Sequence, residues 1–295
     1  MSSTELLAAT IPGSIPESDL EPHRVETIIE ARPGWRLVDV RELWKYRELL
    51  VLLTWRDVAV RYKQTVLGVA WVVLQPLAMM AAFSLFFAKV GDLTERVENY
   101  PLFVLSGLLA WSFFGTTFSS AGQSMIGNQS LVTKVYFPRL ILPLSAAGVA
   151  LVDLAVGLGV LAVGMTICGV TPDSAMVMLP LLILLLAVAA LGVGIFLAAL
   201  IVAYRDFRYI LPFLMQFWLF CTPVIYMPVD LLGPTSRALL PLNPAYGLIL
   251  NFRACLLGTT LDWYALIVSS SVALGGFAIG CLYFRRVERS FADII

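Results

Sequence analysis

Histidine is almost missing from this chain. His23 stands alone in 295 residues, so a site built on two histidines is excluded. Cysteine is sparse as well. Cys168, Cys221, Cys255 and Cys281 lie far apart with no CxxC pair, which removes a zinc-type cluster and leaves four small apolar side chains. Charge is scarce, at 14% of residues against about a quarter in ordinary soluble domains. No GxxxxGK[ST] loop is present, so this chain does not bind ATP through a P-loop. With 59% hydrophobic residues and a mean hydropathy of +0.86, disorder, fibrous repeats and most soluble enzyme classes fall away. Twenty basic residues balance twenty acidic ones, and no nucleic-acid partner, metal or catalytic residue is expected.

The charges that exist are crowded into one end. Residues 1–63 carry 19 of the 40, which is the layout of a polar segment joined to a polytopic membrane domain. Residues 1–40, with Pro12, Pro16, Pro22 and Pro33 among scattered acids, read as a loosely ordered cytoplasmic tail without the apolar core of a signal peptide. Residues 41–63 have helical periodicity. Leu43, Tyr46, Leu49, Leu50 and Leu53 share one face, with Arg41, Lys45, Glu48 and Arg56 roughly opposite. Together with Trp44, Trp55 and Tyr62, this predicts an amphipathic helix lying in the membrane surface.

Residues 64–284 then read as a six-span, all-α transmembrane domain, and 285–295 as a cytoplasmic C-terminus. The expected spans are 66–87, 100–122, 140–168, 176–203, 209–225 and 264–283. With both termini in the cytoplasm, 16 Lys and Arg residues fall inside and four outside, which fixes the orientation by the positive-inside rule. The outer segment 227–263 is too apolar for a plain loop and too short for a span. Asn243-Pro244 is a helix-start signal within it, so short re-entrant helices are expected between spans five and six, covered by protein or water.

The inner loop 123–139 carries an apolar patch, Leu131, Val132, Val135 and Tyr136, ahead of Pro138, which should stop a helix near Tyr136. An apolar patch on a cytoplasmic loop invites a protein partner or the membrane surface. The run Asn128-Gln-Ser-Leu131-Val-Thr-Lys134-Val-Tyr-Phe137-Pro138-Arg139, with Pro143, resembles a loop of the type-2 ABC exporter permeases, above all those exporting O-antigen, capsule and teichoic-acid polysaccharides. Arg56-Asp57 through Trp71, with Gln75-Pro76, resembles that family's approach to its first span, and Asn243-Pro244 its outer-segment motif. The resemblance covers about residues 38 to 290.

The resemblance implies a homodimer in the plasma membrane of a bacterium, bound to two copies of a separate ATPase subunit that carries ATP and Mg. It implies transport of a polysaccharide linked to polyprenyl pyrophosphate, and it leaves a drug or another lipophile as the alternative cargo. The 123–139 loop would couple to the ATPase, through Asn128, Leu131, Lys134, Val135, Tyr136, Phe137 and Arg139.

Two aromatic stripes offer a channel wall, since sugar C–H faces pack on rings. Trp111, Phe114 and Phe118 share one helix face, and Phe213, Phe217 and Phe220 share another, with Tyr226 beyond. Packing against neighbouring helices or lipid explains such stripes equally well. Asp153 is the one ionisable residue deep in a span. It would hold a sugar hydroxyl or pair with an arginine near a helix end. Arg56, Arg61 and Lys63, with Arg139, form an inner basic group suited to anionic lipid or to a pyrophosphate headgroup. Arg237 and Arg253 run against the charge rule and would hold the pyrophosphate after transfer or pair with Asp230 or Asp262. An ion-coupled carrier would need repeats and paired intramembrane charges. A membrane enzyme would need clustered acids, and Asp92, Glu95 and Glu98 read as a solvated hairpin.

Overall fold

The computed structural model describes residues 40–63, 69–88, 97, 99–171, 173–223 and 227–288. The N-terminal tail, the 89–96 hairpin, Tyr226 and residues beyond 288 lie outside the described residues. Within them the architecture is all helical: α1 (Val40–Lys45), α2 (Arg47–Lys63), α3 (Val69–Ala88), α4 (Tyr100–Gly127), α5 (Gln129–Lys134), α6 (Ile141–Cys168), α7 (Leu179–Ala203), α8 (Phe207–Phe220), α9 (Pro234–Leu239), α10 (Pro244–Leu257) and α11 (Trp263–Val287).

Four helical stretches are long and apolar enough to cross a membrane: α4, α6, α7 with the 3-10 turn Ser174–Met178 before it, and α11. The chain is a multi-pass membrane protein on that ground. The apolar stretch Ala70–Phe86 of α3, together with α8 and α10, is shorter. The expected fifth span is realised as only 14 helical residues, about 21 Å at 1.5 Å per residue, with Pro212 inside it.

At the centre, α4 packs against both α6 and α7, and α7 packs along α11. The α7–α11 crossing is close. A Cβ at Gly192 would lie 2.7 Å from the Phe277 amide nitrogen, and one at Gly280 would lie 2.3 Å from the Gly192 carbonyl oxygen. Small residues at a membrane-helix crossing replace a hydrophobic driving force with close backbone packing.

The short helix α8 lies along the second half of α4. Leu211 touches the level of Gly122, Met215 that of Gly115, and Trp218 meets Phe114 and Phe118 edge-on. The first half of α4 is covered by α10, which also packs on α7 and α11. So α10 takes up the position alongside α4 that α8 is too short to reach. Its start follows the sequence signal: the Asn243 side chain accepts the Ala245 amide, Pro244 is the first helical residue, and Gly258 closes the helix at φ 68°. Burial runs around most of α10, so its backbone is covered by protein, as a non-spanning apolar helix requires.

One expectation changes at the N-terminal side. The face Leu43, Tyr46, Leu49, Leu50 and Leu53 does not lie open to lipid; it packs into the core formed with Val132, Phe137, Ala146 and Phe284. A different apolar stripe, Trp44, Val51, Leu52 and Trp55, is left exposed. The reason is an unusually close approach to α6, where the Thr54 methyl carbon lies 2.5 Å from the place a Cβ would occupy on Gly148.

Candidate functional site: two helix ends and two aromatic faces

The end of the bundle carrying residues 128–139 is built as an anchor and a display. α4 ends at Gly127 and α5 begins at Gln129, so the two helices meet at Asn128. Asn128 is a junction. Its Nδ2 donates to the Ser124 carbonyl at 2.9 Å, and its Oδ1 accepts from the Arg56 guanidinium at 2.7 Å. α5 stops at Lys134, two residues before the expected point, and Val135 is extended. The predicted apolar patch then divides. Val132 is buried and Leu131 partly buried against the core, while Val135 and Tyr136 are exposed, Tyr136 at 67%.

Phe137 corrects an expectation. Only 6% exposed, it is a core anchor and cannot itself be presented to a partner in this conformation. Arg139 is also engaged inward: its guanidinium donates to the Glu288 carbonyl, and its backbone amide donates to the Glu288 carboxylate at 3.3 Å. Burial pushes the Glu288 carboxyl above its usual range, with Arg139 opposing that shift. The loop is thus tied to the end of α11, with Lys134, Val135 and Tyr136 exposed.

Asp153 pairs with residues at the end of α2. Arg61 Nη1 lies 2.6 Å from Asp153 Oδ2, and the Tyr62 hydroxyl donates to Oδ1 at 2.5 Å. Burial, then the hydrogen bond to Asp153, raises the Tyr62 phenol from 10.0 to about 12. Of the two readings open in the sequence, the arginine partner is the one realised. Nor do Arg56, Arg61 and Arg139 converge as a headgroup cluster: Arg56 pairs with Asp57 at 2.7 Å, Arg61 with Asp153, and Arg139 meets Glu288. Lys63 is exposed at the last residue of α2. A small cavity of about 250 Å³, lined by Asp57, Arg61, Gln123 and Asn128 among others, separates α2 from α4 and α6.

The two aromatic stripes have opposite fates. Phe114 and Phe118 are fully buried and Trp111 is 9% exposed; the three stack in sequence, at 5.6 and 6.3 Å between ring centroids. They form core here and cannot line a channel in this arrangement. Phe213, Phe217 and Phe220 are exposed, because α8 turns Leu211, Leu214, Trp218 and Leu219 towards the core instead.

At the other end, a polar network fastens the 227–263 segment. Asn243 Oδ1 accepts from Trp218 Nε1 at 2.9 Å, and its Nδ2 donates to Thr222 Oγ1 at 2.9 Å, joining α10 to the end of α8. Buried Asn251 donates to the Gly247 and Asp262 carbonyls and accepts the Asp262 amide, joining α10 to α11. Ser269 accepts the Gly247 amide and donates to the Pro241 carbonyl. The sequence pointed to Asn243 through its cap pattern. Trp218, Asn251 and Ser269 carried no local signal, because the partners that join one element to another lie 11 to 28 residues away. Of the two odd arginines, Arg237 meets Asp230 at 3.4 Å, and Arg253, 5% exposed, sits 3.6 Å over the Phe103 ring.

Comparison with known proteins agrees with this architecture. The ABC-2 type transporter family matches residues 48–257. A protein of Myxococcus xanthus described as O-antigen export system permease protein RfbA is 32% identical over 216 residues, 73% of this chain and 82% of the relative. Two Klebsiella pneumoniae proteins with the same description are 26% and 25% identical, each across 84% of this chain and 95% of the relative. A match over most of the chain, centred on a helical membrane bundle, makes this protein a member of the ABC-2 type transporter family.

Proposed function

We propose that this chain is the transmembrane subunit of an ATP-driven exporter. It moves a polysaccharide carried on polyprenyl pyrophosphate from the cytoplasm to the outer face of a bacterial plasma membrane. Two copies form the pore and two ATPase subunits, holding ATP and Mg, drive it. The shared description of three relatives as O-antigen export permeases supports the cargo class. The observation that carries the coupling step is the division of the 128–139 loop into buried anchors, Val132 and Phe137, and an exposed pair, Val135 and Tyr136.

In this reading six segments cross the bilayer: those that contain α3, α4, α6, α7, α8 and α11. α9 and α10 dip into the outer leaflet, and both termini are cytoplasmic, in keeping with the distribution of Lys and Arg. The tail (1–40), the helix at 41–63, the span domain (64–284) and the C-terminus (285–295) keep their separate roles. α2 lies at the inner interface, one face on α6 and the Trp44–Trp55 stripe in lipid. Motion enters through Lys134, Val135 and Tyr136. Because Arg139 meets Glu288 and Asn128 meets Arg56, it reaches α11 and α2 together.

The exposed face of α8, Phe213, Phe217 and Phe220, supplies the polymer's wall; Tyr226, assigned to the same wall from the sequence, lies outside the described residues. Headgroup capture by Arg56, Arg61 and Lys63 requires the two arginines to exchange Asp57 and Asp153 for phosphate oxygens, a trade of one charge-assisted pair for another.

The test is purification of the tagged chain from cells under mild detergent, followed by ATPase assay. The expected result is a co-purifying P-loop ATPase that is lost with Tyr136→Asp, while the variant inserts and stays folded. A chain that purifies with no ATPase, or a Tyr136→Asp variant that keeps full ATPase association, would overturn the coupling role.

A further inference from the structure

A half-open cavity of about 780 Å³ lies between the start of α4, the end of α6, the turn near residue 229 and the end of α10. Its size is within the range of about 300–1,000 Å³ typical of small-ligand sites. Arg253 forms part of the wall, nine-tenths and more buried, with its guanidinium carbon 3.6 Å from the centre of the Phe103 ring. A buried arginine packed on a ring brings a positive charge and hydrogen-bond donors to the wall of an otherwise partly apolar cavity.

The rest of the polar lining is mixed: Asn99, Thr171, Asp173, Asp230, Thr259 and Thr260. Asp173 already accepts the Ser174 amide at 2.7 Å. Asn99 stands in the left-handed region at φ 57°, the one non-glycine residue to do so among the described residues, and its side chain makes no capping bond to α4. That backbone places an amide at the mouth without committing it to the helix.

Charge and chemistry then select the ligand class. The lining holds one guanidinium and two carboxylates, of which Asp230 also meets Arg237, so it carries no positive excess and a lipid pyrophosphate is a poor fit. Hydroxyls, an amide, carboxylates and a guanidinium, set between the apolar walls Val170, Leu250 and Leu257, suit a neutral polyhydroxyl ligand that donates and accepts at each ring. We propose that this cavity binds a short neutral saccharide segment of the transported polymer. The proposal rests on the polysaccharide reading above and gives that polymer a docking point apart from the α8 face.

Cys168 lines the cavity and is exposed, which makes it a native reporter. Cys221 is exposed elsewhere, whereas Cys255 and Cys281 are buried. In a Cys221→Ser background, the rate of maleimide labelling at Cys168 is measured on the full chain in detergent. The probe is short oligosaccharides released by mild acid from the surface polysaccharide of the source strain, with glycerol as control.

At ten times the dissociation constant, labelling is expected to slow about tenfold by mass action, and glycerol to leave it unchanged. Arg253→Gln should abolish the protection. Thr259→Trp, at an exposed position that tolerates a large side chain, should abolish it by filling the mouth even if Arg253→Gln folds poorly. An unchanged rate at every oligosaccharide concentration, or protection that survives Thr259→Trp, overturns the site. ATPase co-purification is scored on the same preparations. No protection from a chain that retains its ATPase defeats the cavity alone, whereas loss of both defeats the export reading beneath it.

Discussion

α4 and α8 each carry three aromatic residues along one face, yet one trio is buried and the other is exposed. Phe114 and Phe118 have no exposed surface, while Phe213, Phe217 and Phe220 are all more than half exposed. The difference lies in what else each helix brings. α4 is flanked by α6, α7, α8 and α10, so every face finds a neighbour. α8 meets the bundle through Leu211, Leu219 and Trp218, which leaves Phe213, Phe217 and Phe220 on its exposed side. A shared face is therefore a statement about one helix; whether it becomes core or working surface is decided by the helices that arrive beside it. Both kinds of face serve the exporter proposed here, one by fixing α4 and the other by meeting the polymer.

The contrast is sharpest under truncation. Phe114→Ala or Phe118→Ala should cost about 3–5 kcal/mol, the range for emptying a buried aromatic site, seen as a large fall in the detergent melting temperature. Phe217→Ala should change stability by no more than about 0.5 kcal/mol while lowering export. The same logic divides adjacent residues in the 128–139 loop: Phe137→Ala should also cost about 3–5 kcal/mol, whereas Tyr136→Ala should leave the melting temperature in place and, on the coupling role proposed above, lower ATPase association.

Trp218 joins the two regions, because its ring meets Phe114 and Phe118 and its Nε1–H reaches Asn243. Trp218→Phe keeps most of the packing and removes the donor, for an expected loss of about 1 kcal/mol and freer exchange of the α10 amides. The last test concerns Tyr62. Its proton is held to about 12 in the folded protein against 10.0 for a free phenol, so its contribution is whole below pH 10 and is lost as pH rises from 10 to about 12. Tyr62→Phe should flatten that alkaline limb without altering the melting temperature near pH 7 by more than a few degrees.

The legible parts of the sequence were those governed by local rules. Composition pointed to a membrane bundle, and helix boundaries such as Ile141–Cys168 and the Asn243-Pro244 start of α10 follow from apolar length and capping. The 128–139 motif identified the family before any geometry was known. What stayed hidden depends on distant partners. Arg61 and Tyr62 find Asp153 some 91 residues away, and Asn251 finds Asp262 only because Gly247 lets α10 approach α11. Phe137 and Tyr136 are neighbours of similar character, and nothing in their order says which turns inward.

The central claim joins the export role to the exposed α8 face, and one measurement addresses both. In the source strain with its own copy of this chain deleted, surface polysaccharide is quantified after complementation. The account predicts that the wild-type chain restores it and that Phe217→Glu, present in the membrane at equal amount, does not. Full surface polysaccharide in the deleted strain, or from Phe217→Glu, would contradict the account.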